Sequence, residues 1–261
     1  MARIVLTQPQ PRTAAVAAAL QAQGHEALEL AFVTLQPLIG AADRVRLAAL
    51  AERCDFAVFV SPSAVEILGQ ALGDVWPAGP VAAVVGPGSQ AALADRGFTG
   101  ALLTPDGPDY DAESLLKAPA LQTLTGRQIL VVRAAGGNQR IEQTLRERGA
   151  EVTVLEAYAR RAADPEPAAI ACLARWLTEE PASRPILLIT TTDAVQRLAG
   201  LAEHDPALAA VRQLTAMTIH PRIADCLRNC GWRTVKLIEP GTATLVRTLE
   251  WAQDAADSPA S

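Results

Sequence analysis

The sequence contains three segments in its first half that return, in the same order, in its second half. The matching segments are 4–30 with 129–155, 56–68 with 186–198, and 84–97 with 218–231. Leu20 aligns with Leu145 and Gly24 with Gly149, and the three offsets stay between 125 and 134 positions. Because order and spacing are both kept, we predict that one structural module occurs twice and that a cleft lies between its copies.

Each repeated segment combines an apolar run of four or five residues, a polar or glycine-rich turn, and a stretch with helical periodicity. Apolar runs of this length, bounded by turns, are typical of strands buried on both faces of a sheet. Strands that alternate with helices favour parallel sheets with right-handed crossovers. We therefore predict an α/β fold in which helices flank parallel sheets. Gly24 and Gly149 each follow a predicted helix, where a left-handed C-terminal cap favours glycine.

Composition limits the class of protein. The 261 residues suit two domains of ordinary size, and 50% of them are hydrophobic, so each half can bury a core. The formal net charge of −5 disfavours a general nucleic-acid binder. The sequence has no apolar run of membrane-spanning length, and its start lacks a basic region followed by an apolar run. We therefore expect a soluble cytoplasmic protein with no nucleic-acid or membrane partner.

The four cysteines do not have the spacing of a disulfide framework, which agrees with a reducing compartment. Cys226 and Cys230 lie four residues apart on a predicted helix, with His220 shortly before them. A metal pair that includes His220 is one interpretation. We favour the other, in which two small residues pack against a sheet, and we expect no metal site.

The sequence lacks the common motifs of nucleotide binding and of hydrolysis. It has no G-x-G-x-x-G, P-loop, H-E-x-x-H, C-x-x-C or G-x-S-x-G motif. GPGSQ, residues 86–90, follows a predicted strand and could hold an anion with its backbone amides.

Small hydroxyl residues follow the predicted strands in both halves. They are Ser61 and Ser63 after FAVFV, Ser89 in the next segment, and Thr190, Thr191 and Thr192 after ILLI. Ligands of open α/β sheets bind at this carboxyl edge. Serine and threonine can simply cap the following helix, which explains many of these positions. Helix N termini also provide unpaired N–H groups and a positive dipole end, so the pattern indicates an anion site built without catalytic side chains.

A resemblance to a known family covers about residues 3–252. It is carried by the VLTQP opening, FVSPSAVEIL (59–68), VVGPGSQAAL (84–93), GRQILVVRAAGG (126–137), LRERGAEVTVLEAYARR (145–161), ITTTDAVQRL (189–198) and TIHPRIADCL (218–227). With these segments the chain resembles the uroporphyrinogen-III synthase family.

The resemblance implies a different domain division from the one that duplication alone suggests, a cut near 118–126. It implies two flavodoxin-like domains, with domain one formed by 1–37 plus 161–253 and domain two by 38–160. A two-stranded β connector, 33–38 and 156–161, would join them, with the ligand cleft between them. The tail, 254–261, is expected to be disordered.

The family's reaction closes the linear tetrapyrrole hydroxymethylbilane to uroporphyrinogen III, with inversion of ring D and loss of water. The resemblance thus implies a carbon–oxygen lyase of haem, sirohaem and cobalamin biosynthesis that needs no cofactor. It is also compatible with a monomer that receives its substrate from the preceding pathway enzyme. The substrate carries eight carboxylates and cyclises unaided to the uninverted isomer, so the enzyme's task is mainly conformational.

Tyr158 in LEAYARR matches the family's recurrent tyrosine and is the candidate catalytic residue. It would donate a proton or a hydrogen bond to the departing hydroxyl; the alternative is a connector tyrosine that packs against the hinge. Ser61, Ser89 and Thr191 match the family's small hydroxyl positions. The candidate substrate-binding residues are Ser61, Ser63, Gly86, Ser89, Gly137, Thr191, Thr192 and Arg222.

The chain departs from the family pattern at four positions. Gln8 and Asn138 stand where arginine is common, His220 replaces a glycine, and Ile223 replaces a hydroxyl residue. Ile223 removes one hydrogen-bond donor, and His220 is bulkier than glycine. These changes leave a second hypothesis open, a non-catalytic two-lobed regulatory homologue that binds a tetrapyrrole or another polyanion.

Overall fold

A computed structural model describes residues 1–9, 12–105, 110–180 and 184–238, apart from the side chains of Arg12 and Ala15. The predicted disordered tail, 254–261, lies outside the described residues, as does the end of the predicted first domain beyond residue 238.

Strands and helices alternate along most of the chain, as the sequence predicted. The strands are β1 Arg3–Leu6, β2 Glu26–Glu29, β3 Val33–Pro37, β4 Phe56–Phe59, β5 Val81–Val84, β6 Leu102–Leu103, β7 Gln128–Ala134, β8 Glu151–Ala162, β9 Ile186–Leu188, β10 Ala216–Thr218 and β11 Val235–Leu237. The helices are α1 Arg12–Gln21, α2 Arg44–Glu52, α3 Pro62–Leu72, α4 Pro87–Asp95, α5 Ala112–Leu116, α6 Arg140–Glu147, α7 Pro167–Leu177, α8 Thr192–His204 and α9 Pro221–Asn229. Short 3-10 helices cover Ala41–Asp43, Pro119–Leu121 and Pro206–Gln213.

The chain divides into two compact units. Unit one consists of Met1–Leu35 together with the chain from Arg161 onward, and unit two of Gln36–Arg160. The chain leaves unit one within β3 and returns within β8. These strands are neighbours and run antiparallel, because Ala163 N donates to Phe32 O at 3.0 Å and Leu38 N donates to Ala157 O at 2.9 Å.

Each unit contains one sheet that is mostly parallel, in agreement with the predicted α/β class. The sheet of unit one has the order β11-β10-β9-β1-β2, and its four pairings are all parallel. The second sheet has the order β3-β8-β7-β4-β5-β6, and it is parallel from β8 to β6.

The two sheets have the same layout once the sequence repeats are matched. The repeated segments pair β1 and β2 with β7 and β8, β9 with β4, and β10 with β5. Read in one direction, the first sheet is β2-β1-β9-β10-β11 and the second, without β3, is β8-β7-β4-β5-β6. The second unit therefore contains the same module with its strands in a circularly permuted chain order.

The central strands are buried on both faces, as the unbroken apolar runs predicted. In β1, Ile4 and Leu6 belong to one core cluster with Leu20 of α1, whereas Val5 belongs to another with Trp176 of α7. This alternation follows from the two-residue period of a strand. In unit two, Ile129, Val131 and Leu145 pack with Val58 and Leu121.

The predicted glycine caps are also present. Gly24 and Gly149 have φ angles of +79° and +91° just after α1 and α6. A side chain in this left-handed region would be strained, which explains why the repeat keeps glycine at both positions.

Candidate functional site

The ends of β8, β7, β4 and β5 lie next to one another at the carboxyl edge of the sheet in unit two. Phe59, the last residue of β4, pairs with Val84 at the end of β5 and with Val132 of β7, two residues before that strand ends. The loops that follow them carry most of the predicted site residues. Parallel pairing therefore brings together side chains that are up to a hundred positions apart in sequence.

Ser61 and Tyr158, each predicted separately, are in direct contact. Ser61 has an extended backbone just before α3, and its Oγ accepts a hydrogen bond from the amide of Ala64 at 3.1 Å. The same Oγ lies 2.9 Å from the hydroxyl of Tyr158. Tyr158 is only 1% exposed. Ser61 thus caps a helix, as the simpler interpretation predicted, and also hydrogen-bonds the candidate catalytic residue.

The first turn of α4 is open to an acceptor because its N-cap is a glycine. Gly86 has an extended backbone and provides no side-chain cap. A Cβ at Gly86 would lie 3.1 Å from Cβ of Tyr110, and one at Gly88 would lie 3.2 Å from Cγ of Pro62. A side chain at either glycine would require its neighbour to shift by a few tenths of an ångström, and α3 and α4 begin side by side.

Two more predicted residues lie in these first turns. Ser89 is buried in α4 and Ser63 is half-buried in α3. The backbone N–H of Ser89 donates to Gly86 O at 3.0 Å. Helix starts attract carboxylates through the positive end of the helix dipole.

The loop after β7 is held by a buried arginine that the sequence interpretation did not identify. Nε of Arg133 donates to Oε2 of Glu142 at 3.1 Å, and both side chains are nearly inaccessible. Its Nη1 donates to Ala134 O at 3.0 Å and to O of the predicted residue Gly137 at 3.4 Å. An arginine inside the apolar run QILVVRA was the available signal, since a buried guanidinium requires partners.

Asn138 takes part in the same loop. Its Oδ1 accepts a hydrogen bond from the backbone N–H of Arg140 at 2.9 Å, at the start of α6. In this structure the side chain stabilises the loop.

The carboxyl edge of unit one repeats part of this arrangement. Thr191 precedes α8 and its Oγ1 accepts from the amide of Ala194 at 3.2 Å, in the position that Ser61 has in unit two. Thr192 is the first residue of α8 and is half-buried.

The start of α9 differs from its counterpart, α4. His220 takes the place of Gly86 and caps α9, since its Nδ1 accepts from the amide of Arg222 at 3.1 Å. Ile223 takes the place of Ser89 and is buried. The side chain of the predicted residue Arg222 is exposed in the first turn of α9.

Two buried polar atoms near the same edge have no hydrogen-bond partner in the described part of the chain. They are Oε1 of Gln8, just after β1, and Oγ1 of Thr218, the last residue of β10. Next to them, Thr7 Oγ1 donates to Leu188 O at 3.1 Å. An unpaired buried polar atom costs about 1–3 kcal/mol, so each one calls for an explanation, such as a bound ligand or water.

Among residues 1–9, 12–105, 110–180 and 184–238, no group of three or more histidine, cysteine or acidic side chains could hold a metal ion. All four cysteines are free. Cys226 and Cys230 pack, partly buried, against the core of unit one. Burial raises the pKa of the Cys226 thiol, and the neighbouring Cys230 adds to that effect. No helix in the described residues is long and apolar enough to cross a membrane.

The fold and these two edges define a duplicated parallel α/β protein in which helix N termini lie at the carboxyl edge of each sheet. The sequence pattern of uroporphyrinogen-III synthase HemD matches residues 14–245. The chain therefore belongs to the uroporphyrinogen-III synthase family.

Individual relatives agree with this assignment. The chain is 30% identical over 242 residues to the uroporphyrinogen-III synthase of Salmonella typhimurium strain LT2, which covers 90% of this chain and 94% of that protein. It is also 30% identical over 128 residues to the Escherichia coli K12 enzyme, which covers 49% of this chain and 50% of that protein.

Solved structures support the fold. A mutant uroporphyrinogen III synthase from Thermus thermophilus is similar with a TM-score of 0.53 at 22% identity, over 97% of this chain and 100% of that one. The uroporphyrinogen-III synthetase of Helicobacter pylori 26695 gives a TM-score of 0.52 at 16% identity, over 96% of this chain and 100% of that one.

Proposed function

We propose that the chain is a carbon–oxygen lyase that cyclises hydroxymethylbilane to uroporphyrinogen III, with inversion of ring D and loss of water, in tetrapyrrole biosynthesis. Family membership supports the reaction. The observation that carries the assignment to this site is the 2.9 Å contact between Ser61 Oγ and the Tyr158 hydroxyl. It brings a phenol, which can donate a hydrogen bond to a departing hydroxyl, to the start of a helix that can hold a carboxylate.

In this proposal each unit is a flavodoxin-like domain, with boundaries near 1–37 plus 161–253 and 38–160. The strand order of each sheet supports this, because it is the 2-1-3-4-5 order of that fold when the repeats are matched. The antiparallel pair β3 and β8, in which both chain crossings fall, supports a two-stranded connector.

The proposed mechanism relies on orientation of the substrate more than on acid–base chemistry. Amides at the starts of α3 and α4, with Ser61, Ser63, Gly86 and Ser89, bind carboxylates in unit two. Thr191, Thr192 and Arg222 bind carboxylates in unit one, and Gly137 lines the β7–α6 loop. Holding several carboxylates restricts the flexible chain to conformers that close at the substituted carbon of ring D.

Tyr158 then assists departure of the hydroxyl by a hydrogen bond or by proton transfer. A hydrogen bond in a buried environment is stronger than one in water, which favours a phenol in this role. Because Tyr158 is 1% exposed, the residues that cover it must move before a substrate reaches its hydroxyl.

The deciding experiment is incubation of the purified protein with freshly generated hydroxymethylbilane, followed by chromatographic separation of the type I and type III isomers. We expect type III product at a rate far above spontaneous closure, which yields type I in a parallel sample without protein. Exclusive formation of type I would rule out the proposed activity.

The start of α9 favours a second candidate function, a non-catalytic regulatory homologue that binds a tetrapyrrole. Here His220 and Ile223 occupy the places of Gly86 and Ser89, so this helix lacks the open glycine cap and the hydroxyl of its counterpart. Tight binding of uroporphyrinogen without acceleration of cyclisation would support this candidate over the lyase.

The proposal also includes a cytoplasmic monomer that receives its substrate from the enzyme that makes hydroxymethylbilane. The four free cysteines suit a reducing compartment. Light scattering coupled to size exclusion tests the monomer, with a mass near 27.4 kDa expected.

A further inference from the structure

Strands β7 and β8 change register beside the candidate site. They pair residue by residue up to Arg133 with Glu156, but the next pair is Ala134 with Tyr158. Ala157 is therefore an extra residue in β8, which makes a β-bulge. Its carbonyl is not left unpaired, because Leu38 N donates to it at 2.9 Å. β-Bulges redirect side chains and are over-represented next to active sites, and in a parallel pair such as β7 and β8 they are rare.

The extra residue decides which face of the sheet Tyr158 occupies. Side chains of a strand alternate between faces, so in unbroken pairing Tyr158 would share the face of Glu156. The observed partner of Tyr158 is Ala134, which lies on the face opposite to Arg133 and Glu156. The 2.9 Å contact between Tyr158 and Ser61 thus depends on the bulge.

Arg133 connects both strands at the point where the bulge begins. Its Nη1 donates to Ala134 O at 3.0 Å and to Gly137 O at 3.4 Å, and it lies 3.3 Å from Oε1 of Glu156. The same Oε1 accepts a hydrogen bond from Gly136 N at 3.3 Å. One ion pair therefore ties the end of β7, the following loop and β8 together.

Glu142 of α6 fixes the guanidinium from another side. Its two carboxylate oxygens lie 3.1 Å from Nε and 3.4 Å from Nη2 of Arg133. The side chains of Arg133 and Glu142 are 7% and 5% exposed. A two-point arginine–carboxylate contact in a buried environment has one preferred geometry, so Nη1 stays directed at Glu156 and the loop.

We propose that Arg133 and Glu156 are positioning residues: their ion pair, anchored by Glu142, fixes the bulge that brings the Tyr158 hydroxyl to Ser61. The consequence for catalysis rests on the proposed function, whereas the consequence for the position of Tyr158 does not. Without the Glu156 carboxylate, β8 relaxes to unbroken pairing and Tyr158 turns to the opposite face.

Nuclear magnetic resonance tests the position of Tyr158 without any substrate. The chain has only two tyrosines, Tyr110 and Tyr158, so ¹³C labelling at the ring Cζ gives two signals, and Tyr110→Phe assigns them. We expect Glu156→Ala to shift the Tyr158 signal and to make it insensitive to Ser61→Ala. Glu156→Gln, which keeps an oxygen acceptor for Gly136 N but loses the ion pair, should shift the Tyr158 signal less than Glu156→Ala does.

Glu151→Ala is the matched control, because it removes the same charge from the exposed start of the same strand. It should leave the Tyr158 signal in place. An unchanged Tyr158 signal in Glu156→Ala, or an equal shift in Glu151→Ala, would overturn the positioning role.

A double-variant cycle tests the catalytic consequence. Glu156→Ala should lower kcat for type III product by the same factor as Tyr158→Phe, within about twofold, with KM changed less. Adding Glu156→Ala to Tyr158→Phe should cause no further loss beyond about twofold, because residues that act through one group are not additive. Losses that multiply in the double variant would contradict an action through Tyr158. If wild-type protein forms no type III product, the proposed function fails, and the resonance experiment alone decides the positioning role.

Discussion

Ser61 has two hydrogen-bond partners at one oxygen atom, the amide of Ala64 and the hydroxyl of Tyr158. Thr191 has the equivalent cap position in unit one, where its Oγ1 accepts a hydrogen bond from Ala194 N. Comparing Ser61 with Thr191 therefore separates the effect of the cap, which both residues provide, from the effect of the Tyr158 contact observed for Ser61.

We expect Ser61→Ala and Thr191→Ala each to lower the free energy of unfolding by about 0.5–2 kcal/mol, because each removes a helix cap. Only Ser61→Ala should also lower kcat, since it removes a partner of Tyr158. Thr191→Ala should raise KM with kcat nearly intact, as expected for a residue that binds a substrate carboxylate in the ground state. Urea unfolding and initial rates of type III formation measure both effects. Equal kinetic effects would show that the Tyr158 contact has no catalytic role.

The buried pair Arg133 and Glu142 makes a separate prediction about stability. Glu142→Leu leaves the guanidinium without its main counterion, and we expect a loss of about 3–5 kcal/mol. Arg133→Met combined with Glu142→Leu should be more stable than Glu142→Leu alone, because no buried charge remains unpaired. Midpoints of urea unfolding test this order of stability; a double variant less stable than the single one would contradict it.

Among the helices, α5 is short and depends on its cap. Asp111 precedes it, and Oδ1 accepts a hydrogen bond from Ser114 N at 2.8 Å. This hydrogen bond lowers the pKa of the Asp111 carboxyl, against the opposing effect of desolvation. Leu115 and Leu116 of α5 pack into the core of unit two, so the cap supports a core element.

Asp111→Ala should lower the free energy of unfolding at pH 7 by about 0.5–2 kcal/mol. Because the pKa is lower in the folded state, the contribution is present above the unfolded value of about 3.9 and is lost as the pH falls through the folded pKa. The difference between wild type and Asp111→Ala should therefore shrink between pH 5 and pH 3 in urea unfolding. Asp111→Asn, which keeps an acceptor but does not titrate, is the control. A difference that stays constant with pH would contradict this account.

Most elements could be predicted from the sequence because their signals are local. Helix α1, Arg12–Gln21, is an example, because its apolar residues Val16 and Leu20 lie four positions apart and are both buried. The bulge at Ala157 has no local signal, since it depends on the register between strands that are brought together only by folding. The apolar run around Arg133 indicated a buried charge, but its partners Glu142 and Glu156 lie on α6 and β8 and come next to it only through folding.

The candidate site likewise combines residues that the sequence could predict with contacts that it could not. The family resemblance and the strand-end position identified Ser61 and Tyr158 as separate candidates. Their contact depends on the bulge, which the sequence does not indicate. The unpaired atoms of Gln8 and Thr218 could not be predicted either, because they depend on the packing around them.

At the scale of the whole molecule, each unit has its own core. Leu20 and Leu145 occupy equivalent positions of the repeat, and each is fully buried, one in unit one and the other in unit two. A cavity made at one of them should therefore weaken its own unit first.

We expect Leu20→Ala and Leu145→Ala each to cost about 2–5 kcal/mol in the affected unit. Hydrogen exchange followed by mass spectrometry resolves the two units in one experiment. Peptides from β1 and β9 should exchange faster in Leu20→Ala, and peptides from β4 and β7 faster in Leu145→Ala. Uniform acceleration across both units in either variant would show that they unfold as one.

The circularly permuted strand order determines which unit can complete its sheet first during synthesis. β1 is an inner strand of its sheet, between β9 and β2, yet β9 begins only at Ile186, after all of unit two has been made. At roughly 5–20 residues per second, β9 is synthesised on the order of ten seconds after β1, whereas Gln36–Arg160 is synthesised as one continuous segment. The nascent chain is thus expected to complete its second module before its first, and ribosome-associated chaperones would meet an unpaired amino-terminal β-α-β segment throughout that interval.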